Sequence, residues 1–296
     1  MKATRKILVA LDAGQFEESL QKHTALFANK LGARQILGVH IVPVLKIADS
    51  VTVDARHPLS PAAPAVEMIR ERVAAQTDVL KKCCQHAEVG IAIREGQPYQ
   101  SLVRLADEMD ADLLIMSRKK ASSGSGITSR KIARKVSSDL LFVPERISTT
   151  IENILVAVDF SENSARAVEK ALYLADQLHL QQAINVLNIV DIPPLNRIGD
   201  LDVYHLAGKS VLEISQERYE HFLEKYDIDR SRLNPIFVES WDEDLGLTIR
   251  STAHELGADL VVLGAHGHSA LQRFFLGSVT ENLVELDKQH LIWIIR

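Results

Sequence analysis

Apolar positions along this chain alternate between two habits. Short unbroken runs such as Ile7-Leu-Val-Ala-Leu11, Leu140–Val143, Leu260–Leu263 and Leu291-Ile-Trp-Ile-Ile295 are separated by longer stretches whose apolar residues recur every three or four places. Unbroken runs rich in Val, Ile and Leu belong to strands buried on both faces, as in a parallel sheet covered by helices. The 4-3-4 spacing of Leu20, Thr24, Phe27 and Leu31 marks one face of a helix. The pattern predicts strands near 6–12, 35–42, 89–94, 112–117 and 140–144, with helices near 16–32, 62–86, 98–110 and 127–137. It then repeats: strands near 153–159, 183–190, 234–239, 259–264 and 291–295, and helices near 162–179, 205–226, 243–257 and 278–288.

The repeat extends to the residues. At an offset of 147, Ile7-Leu-Val-Ala-Leu-Asp12 falls on Ile154-Leu-Val-Ala-Val-Asp159 and Ala111-Asp-Leu113 on Ala258-Asp-Leu260, while Leu20, Thr24, Phe27 and Leu31 fall opposite Ala167, Ala171, Leu174 and Leu178. The expectation is two tandem doubly wound α/β domains, residues 1–147 and 148–296, joined by the short polar stretch Pro144–Thr150.

Composition narrows this picture. With 296 residues, 46% hydrophobic and 25% charged, the chain can bury two cores. No segment approaches the roughly 20 apolar residues of a membrane span, and the run from Ile7 ends at Asp12, too soon for a signal peptide. Cys83 and Cys84 are adjacent, hence about 100° apart on a helix, which suits packing better than a disulfide or a zinc site. A cytoplasmic protein is expected. Charge divides unevenly: residues 1–150 carry 22 Lys+Arg against 16 Asp+Glu, a net of +6, and residues 151–296 carry 12 against 23, a net of −11. The basic cluster Arg118, Lys119, Lys120, Arg130, Lys131, Arg134 and Lys135 lacks interleaved aromatics, so a solvated face is favoured over nucleic-acid binding.

Candidate chemistry concentrates at Gly264-Ala-His-Gly267, which follows the apolar run 260–263 and is succeeded after nine residues by Gly277-Ser278. Glycines let backbone approach a ligand without a Cβ, and a helix starting at Gly277-Ser278 presents N–H groups to an anion. The spacing Gly-x2-Gly-x9-Gly-Ser, continued by Val279 and Thr280, resembles the nucleotide-binding signature of the universal stress protein family, and the duplicated chain resembles a tandem-domain member. The resemblance implies a Rossmann-like strand order 3-2-1-4-5 in each half. It also implies last strands that pair across a pseudo-twofold axis, a pairing that would cover the apolar edge at 291–295.

With that order the winding reverses between strands 1 and 4, where open α/β sheets bind ligands. The resemblance then implies roles: Asp159 toward the sugar or base, Ile189 along an adenine slot, Gly264, His266 and Gly267 bringing backbone to the phosphates, and Gly277, Ser278, Val279 and Thr280 holding them. The ligand would be ATP, or AMP or ADP, with local amides, Arg273 and Mg2+ or Mn2+ offsetting the charge of an acidic domain. Asp159 also reads as a helix cap beside Ser161. The first half keeps Asp12 but has Ser117-Arg-Lys-Lys120 and Gly126-Ile127 at the loop, so it is expected to pair rather than bind nucleotide; Gly96-Gln-Pro98 occurs only there, opposite Asp242-Glu-Asp-Leu245.

No Walker motif and no Ser-His-Asp elbow occurs, which favours a regulatory ligand over turnover. Two alternatives stay open: a slow ATPase or hydrolase using a metal on His266 and His268, with His205, His254 or Asp242-Glu-Asp244 as further ligands, and a non-nucleotide adaptor in which the excursion Asp191–Gly208 walls a pocket for a lipid-like ligand or a partner protein. Further association into a homodimer is also open.

Overall fold

The computed structural model describes residues 4–11, 17–42, 46–48, 51–52, 63–118, 126–145, 148–191, 205–206, 209–240, 244–266 and 276–296. The chain divides into two compact units that meet in sequence at Thr149 and Thr150.

The first unit contains strands β1 (Lys6–Ala10), β2 (Gln35–Val42), β3 (Glu88–Glu95), β4 (Leu113–Arg118) and β5 (Asp139–Pro144), with helices α1 (Glu17–Leu31), α2 (Ala63–Cys83), α3 (Pro98–Glu108) and α4 (Gly126–Lys135). Strand β1 lies between β2 and β4, β3 lies outside β2, and β5 outside β4, all parallel. The second unit repeats this with β6 (Ile154–Ala157), β7 (Ile184–Asp191), β8 (Leu233–Ser240), β9 (Leu260–Gly264) and β10 (Leu291–Ile295), and α5 (Glu162–Leu178), α6 (Val211–Lys225), α7 (Leu245–Glu255) and α8 (Ser278–Leu286). Its pairings, β8–β7, β7–β6, β6–β9 and β9–β10, are also parallel. Each unit is therefore a doubly wound α/β sheet of order 3-2-1-4-5.

The apolar runs become the cores, with Ile7, Leu8 and Val9 in one unit and Val261, Val262 and Ile295 in the other fully buried. Duplication repeats polar contacts as well. Asp112 Oδ2 accepts from the amides of Arg5 and Lys6 at 2.9 and 3.0 Å, and Asp259 Oδ2 accepts from those of Glu152 and Asn153 at 2.8 and 2.9 Å. A carboxylate at the foot of strand 4 thus anchors the entry of strand 1 in both copies.

Two expectations are corrected. The helix read from 205 begins at Val211, because Ser210 caps it: its hydroxyl accepts from the Glu213 amide while the Glu213 carboxylate accepts from the Ser210 amide. Residues His205–Leu206 and Lys209–Ser210 instead form a short antiparallel pair, as do Lys46–Ala48 and Val51–Thr52. The adjacent cysteines do not both pack: Cys84 is buried and Cys83, the last residue of α2, is exposed. No described helix is long and apolar enough to cross a membrane. The excursion Asp191–Gly208 falls largely outside the described residues.

Candidate functional site

Strands β6 and β9 are neighbours, with Ile154 beside Leu260 and Ala157 beside Leu263, so the chain segments leaving them open onto the same end of the sheet. This is the point at which the winding reverses. Asp159 lies just beyond β6, half-buried, and its Oδ1 accepts from the Ser161 amide at 3.1 Å. Ser161 is the N-cap of α5, its hydroxyl accepting from the Ser164 amide at 3.3 Å. Asp159 therefore supports the start of α5 through the amide of its N-cap, and the cap itself is Ser161 rather than Asp159.

Phe160 between them adopts φ 66°, a left-handed conformation seldom taken by a bulky residue. Its ring is buried, 5.6 Å from that of Phe222 and 6.4 Å from that of Tyr219, both on α6, with the Arg218 guanidinium carbon 5.2 Å from its centre. The aromatic cluster holds the turn that aims Asp159.

Gly264 ends β9, and the reason it lacks a side chain is local. A Cβ there would lie 2.9 Å from Asn163 Cβ, 3.1 Å from Asn163 C and 3.3 Å from its O, so the first turn of α5 fills the space. Asn163 Nδ2 donates to the His266 carbonyl at 3.1 Å, the Gly277 amide to the Ala265 carbonyl at 2.8 Å, and the Thr280 hydroxyl to the Gly264 carbonyl at 3.1 Å. The Ala265 amide donates to Ile295 O at 2.8 Å. Residues 264–266 are thereby fastened to α5, α8 and β10 together.

Gly277 is the N-cap of α8 and supplies no side-chain cap, leaving the first turn at Ser278, Val279 and Thr280 to present its amides. Ser278 is exposed, Val279 half-buried and Thr280 buried. Gly267, His268 and Arg273 lie outside the described residues. Ile189 sits one strand away on β7, half-buried, beside Val238. Its neighbour Asn188 is buried, donating through Nδ2 to Val158 O at 2.9 Å and accepting the Ser215 hydroxyl at 3.0 Å, which ties the end of β7 to the end of β6 and to α6.

Residues that sequence reasoning missed surround the loop. Arg296 Nη1 donates to His266 Nε2 at 3.2 Å, and Arg166 Nη1 donates to Arg296 O at 3.0 Å. The Arg296 guanidinium puts positive charge beside the loop of a unit whose sequence is acidic overall, while Arg166 is itself paired with Glu162 at 2.9 Å. Neither they nor Asn163 carries a motif; their partners stand 30 to 130 residues away. Asp244, one of the candidate metal ligands, caps α7 instead: its Oδ1 accepts from the Leu247 amide at 2.9 Å and from Asn282 Nδ2 at 2.6 Å. Among the described residues no group of three His, Cys, Asp or Glu side chains could hold a metal ion.

In the first unit Asp12, Lys119 and Lys120 lie outside the described residues. Arg118, however, ends β4 at the place of Ala265 and is 1% exposed, its guanidinium carbon 5.8 Å from the Phe142 ring centre. A large side chain is thus packed where the second unit has a buried methyl. His40 Nδ1 donates to Leu11 O at 2.8 Å, the counterpart of the Asn188 bond to Val158 O. Gly96, at φ 147°, precedes α3 and would clash with Ser101 Oγ at 2.6 Å if it bore a Cβ, and Pro98 opens that helix.

Comparison with known proteins follows the same duplication. The pattern of the universal stress protein family matches residues 3–144 and again 150–286. A protein of Staphylococcus haemolyticus named as a universal stress protein is 29% identical over 138 residues, which cover 46% of this chain and 79% of that protein. A universal stress protein from Archaeoglobus fulgidus superposes with a TM-score of 0.70 at 14% identity, covering 99% of this chain and 96% of its own. One from Pseudomonas aeruginosa gives 0.65 at 16% identity, covering 99% and 93%.

Proposed function

We propose that this chain, which belongs to the universal stress protein family through both of its halves, binds an adenine nucleotide such as ATP in its second unit as a regulatory ligand. The observation that carries the reading is the N-terminus of α8, which no side chain caps, fastened through Gly277 and Thr280 to the end of β9 beside the switch point. Amides of Ser278, Val279 and Thr280 would take the phosphates, Asp159 the sugar or base side and Ile189 the adenine face. Gly264, His266 and Gly267 would shape the loop between them, and Arg296 would lend charge. Mg2+ or Mn2+ would accompany the nucleotide and offset its negative charge. Arg118 packed at the first unit's equivalent position supports assigning the ligand to the second unit alone. The same reading makes the protein cytoplasmic.

Occupancy regulates only if the nucleotide binds two conformations unequally, so its free energy of binding sets the size of the signal. The test is thermal melting with and without ATP, ADP and AMP. At a hundredfold excess over Kd, binding to the folded state adds about 2.7 kcal/mol. Gly277→Trp, whose backbone at φ −60° and ψ 143° suits any residue, is expected to keep the fold and abolish the rise. No rise with any of the three nucleotides refutes the function; an undiminished rise in Gly277→Trp refutes the site.

A further inference from the structure

The two units treat their outer strands differently. Among the described residues β3 pairs with β2 on one side and has no strand on the other, and β8 stands likewise outside β7. Glu88 N donates to Arg34 O and Gly96 N to Val42 O, so even-numbered residues of β3 face β2. Val89, Ile91, Ile93 and Glu95 therefore turn their backbone groups to the open edge. Ile91 is 42% exposed.

Registers give the equivalence between the units. Leu37 beside Leu8 corresponds to Asn185 beside Leu155; Leu37 faces Gly90, and Asn185 faces Asn234. Pro235 thus occupies in β8 the place that Ile91 occupies in β3. A proline with no N–H at an outward position blocks strand addition, a common protection of sheet edges. The second unit has that protection, whereas β3, Glu88-Val-Gly-Ile-Ala-Ile-Arg-Glu95, has no proline and no bulge in its pairing.

We propose that the edge of β3 is a self-association surface, pairing antiparallel with β3 of a second copy of this chain across a twofold axis at Ile91. In that register Ile91 opposes its own copy and Val89 opposes Ile93, and these outward residues exchange backbone hydrogen bonds. Glu88 opposes Arg94 on both sides of the axis, as non-hydrogen-bonded pairs whose side chains approach most closely. The strand's charge pattern selects this alignment: moving it by two residues sets Arg94 against Gly90 or His86, and moving it by one sets outward groups against inward ones. The pairing is independent of the nucleotide site.

Sedimentation equilibrium of the full chain from about 1 to 200 µM tests it, since edge pairing of this size belongs to micromolar affinities. A dimer is expected, with Ile91→Pro raising its Kd about tenfold or more while far-ultraviolet dichroism stays unchanged, because Pro235 already stands at that place in β8. If Ile91→Pro does not fold, charge exchange decides: Glu88→Arg and Arg94→Glu should each weaken the dimer and the double variant restore it. A chain monomeric throughout, a dimer indifferent to Ile91→Pro, or single charge reversals that the double variant does not rescue would overturn the proposal.

Discussion

Gly264→Ala probes the close approach on which the second unit's loop is built. The added methyl carbon would sit 2.9 Å from Asn163 Cβ, against 3.4–4 Å for an ordinary contact, and 3.1 and 3.3 Å from the carbonyl carbon and oxygen of the same residue. Those last two atoms are helix backbone and cannot rotate away, so β9 and the start of α5 must separate. Overpacking of this kind costs about 1–3 kcal/mol. Replacing glycine returns about 0.4–1 kcal/mol through the unfolded chain, leaving a net loss of up to about 2.6 kcal/mol, and of about 1.3 kcal/mol at the middle of both ranges. Both tryptophans, Trp241 and Trp293, belong to the second half, so their emission follows that half during urea unfolding. Asn163→Ala keeps the Cβ, carbon and oxygen that clash; it loses about 0.5–1.5 kcal/mol with the bond to His266 O and should not rescue Gly264→Ala. A Gly264→Ala midpoint equal to the wild type, or recovery in the double variant, would show that the approach is not what sets this glycine.

Two further outcomes concern the first unit. His23 is fully buried, its Nδ1 2.7 Å from Ser19 O and its Nε2 3.1 Å from Ser148 O. Burial holds its pKa below the ordinary 6.5, with Lys22 adding to the depression and the two carbonyls opposing it. The unfolded chain therefore binds this proton more readily, and the stability His23 contributes is present above pH 6.5 and is lost as pH falls through the lower folded value. Amide protection of α1 should weaken on acidification in the wild type and less so in His23→Gln; equal weakening would remove His23 as the cause. Cys84 is buried and its thiol is pushed up to about 11, chiefly by burial and then by Cys83, so native alkylation should label Cys83 alone and denatured protein both. Labelling of Cys84 in the native chain would contradict its burial.

The sheet was legible because strand runs buried on both faces leave an unbroken apolar signature, and because the duplication let each half check the other. Boundaries failed where a side chain overruled periodicity. Residues 205–210 continue a helical reading until Ser210 and Glu213 close a capping box, and that box was itself readable in the sequence. The glycines of the loop were visible, but their reasons were not. Gly264 is small because Asn163 presses on it, a contact between residues with no spacing in common. Asn188, Ser215, Arg166 and Arg296 were equally silent, since each acts through a partner that only folding brings near. Position 118 was recognisable as a departure; that its arginine is interior rather than part of a solvated basic face was not.

Phe160 leaves the second unit with a mechanical link. Holding a bulky side chain in the left-handed region costs about 1–3 kcal/mol, and the rings of α6 supply the counterweight. Lifting α6 by even a small displacement would remove that counterweight and let the main chain after β6 relax, swinging the Asp159 carboxylate with it. The direction of the Asp159 carboxylate thus depends on how α6 is seated, through a ring that sits next to it in sequence and packs on Phe222 and Tyr219.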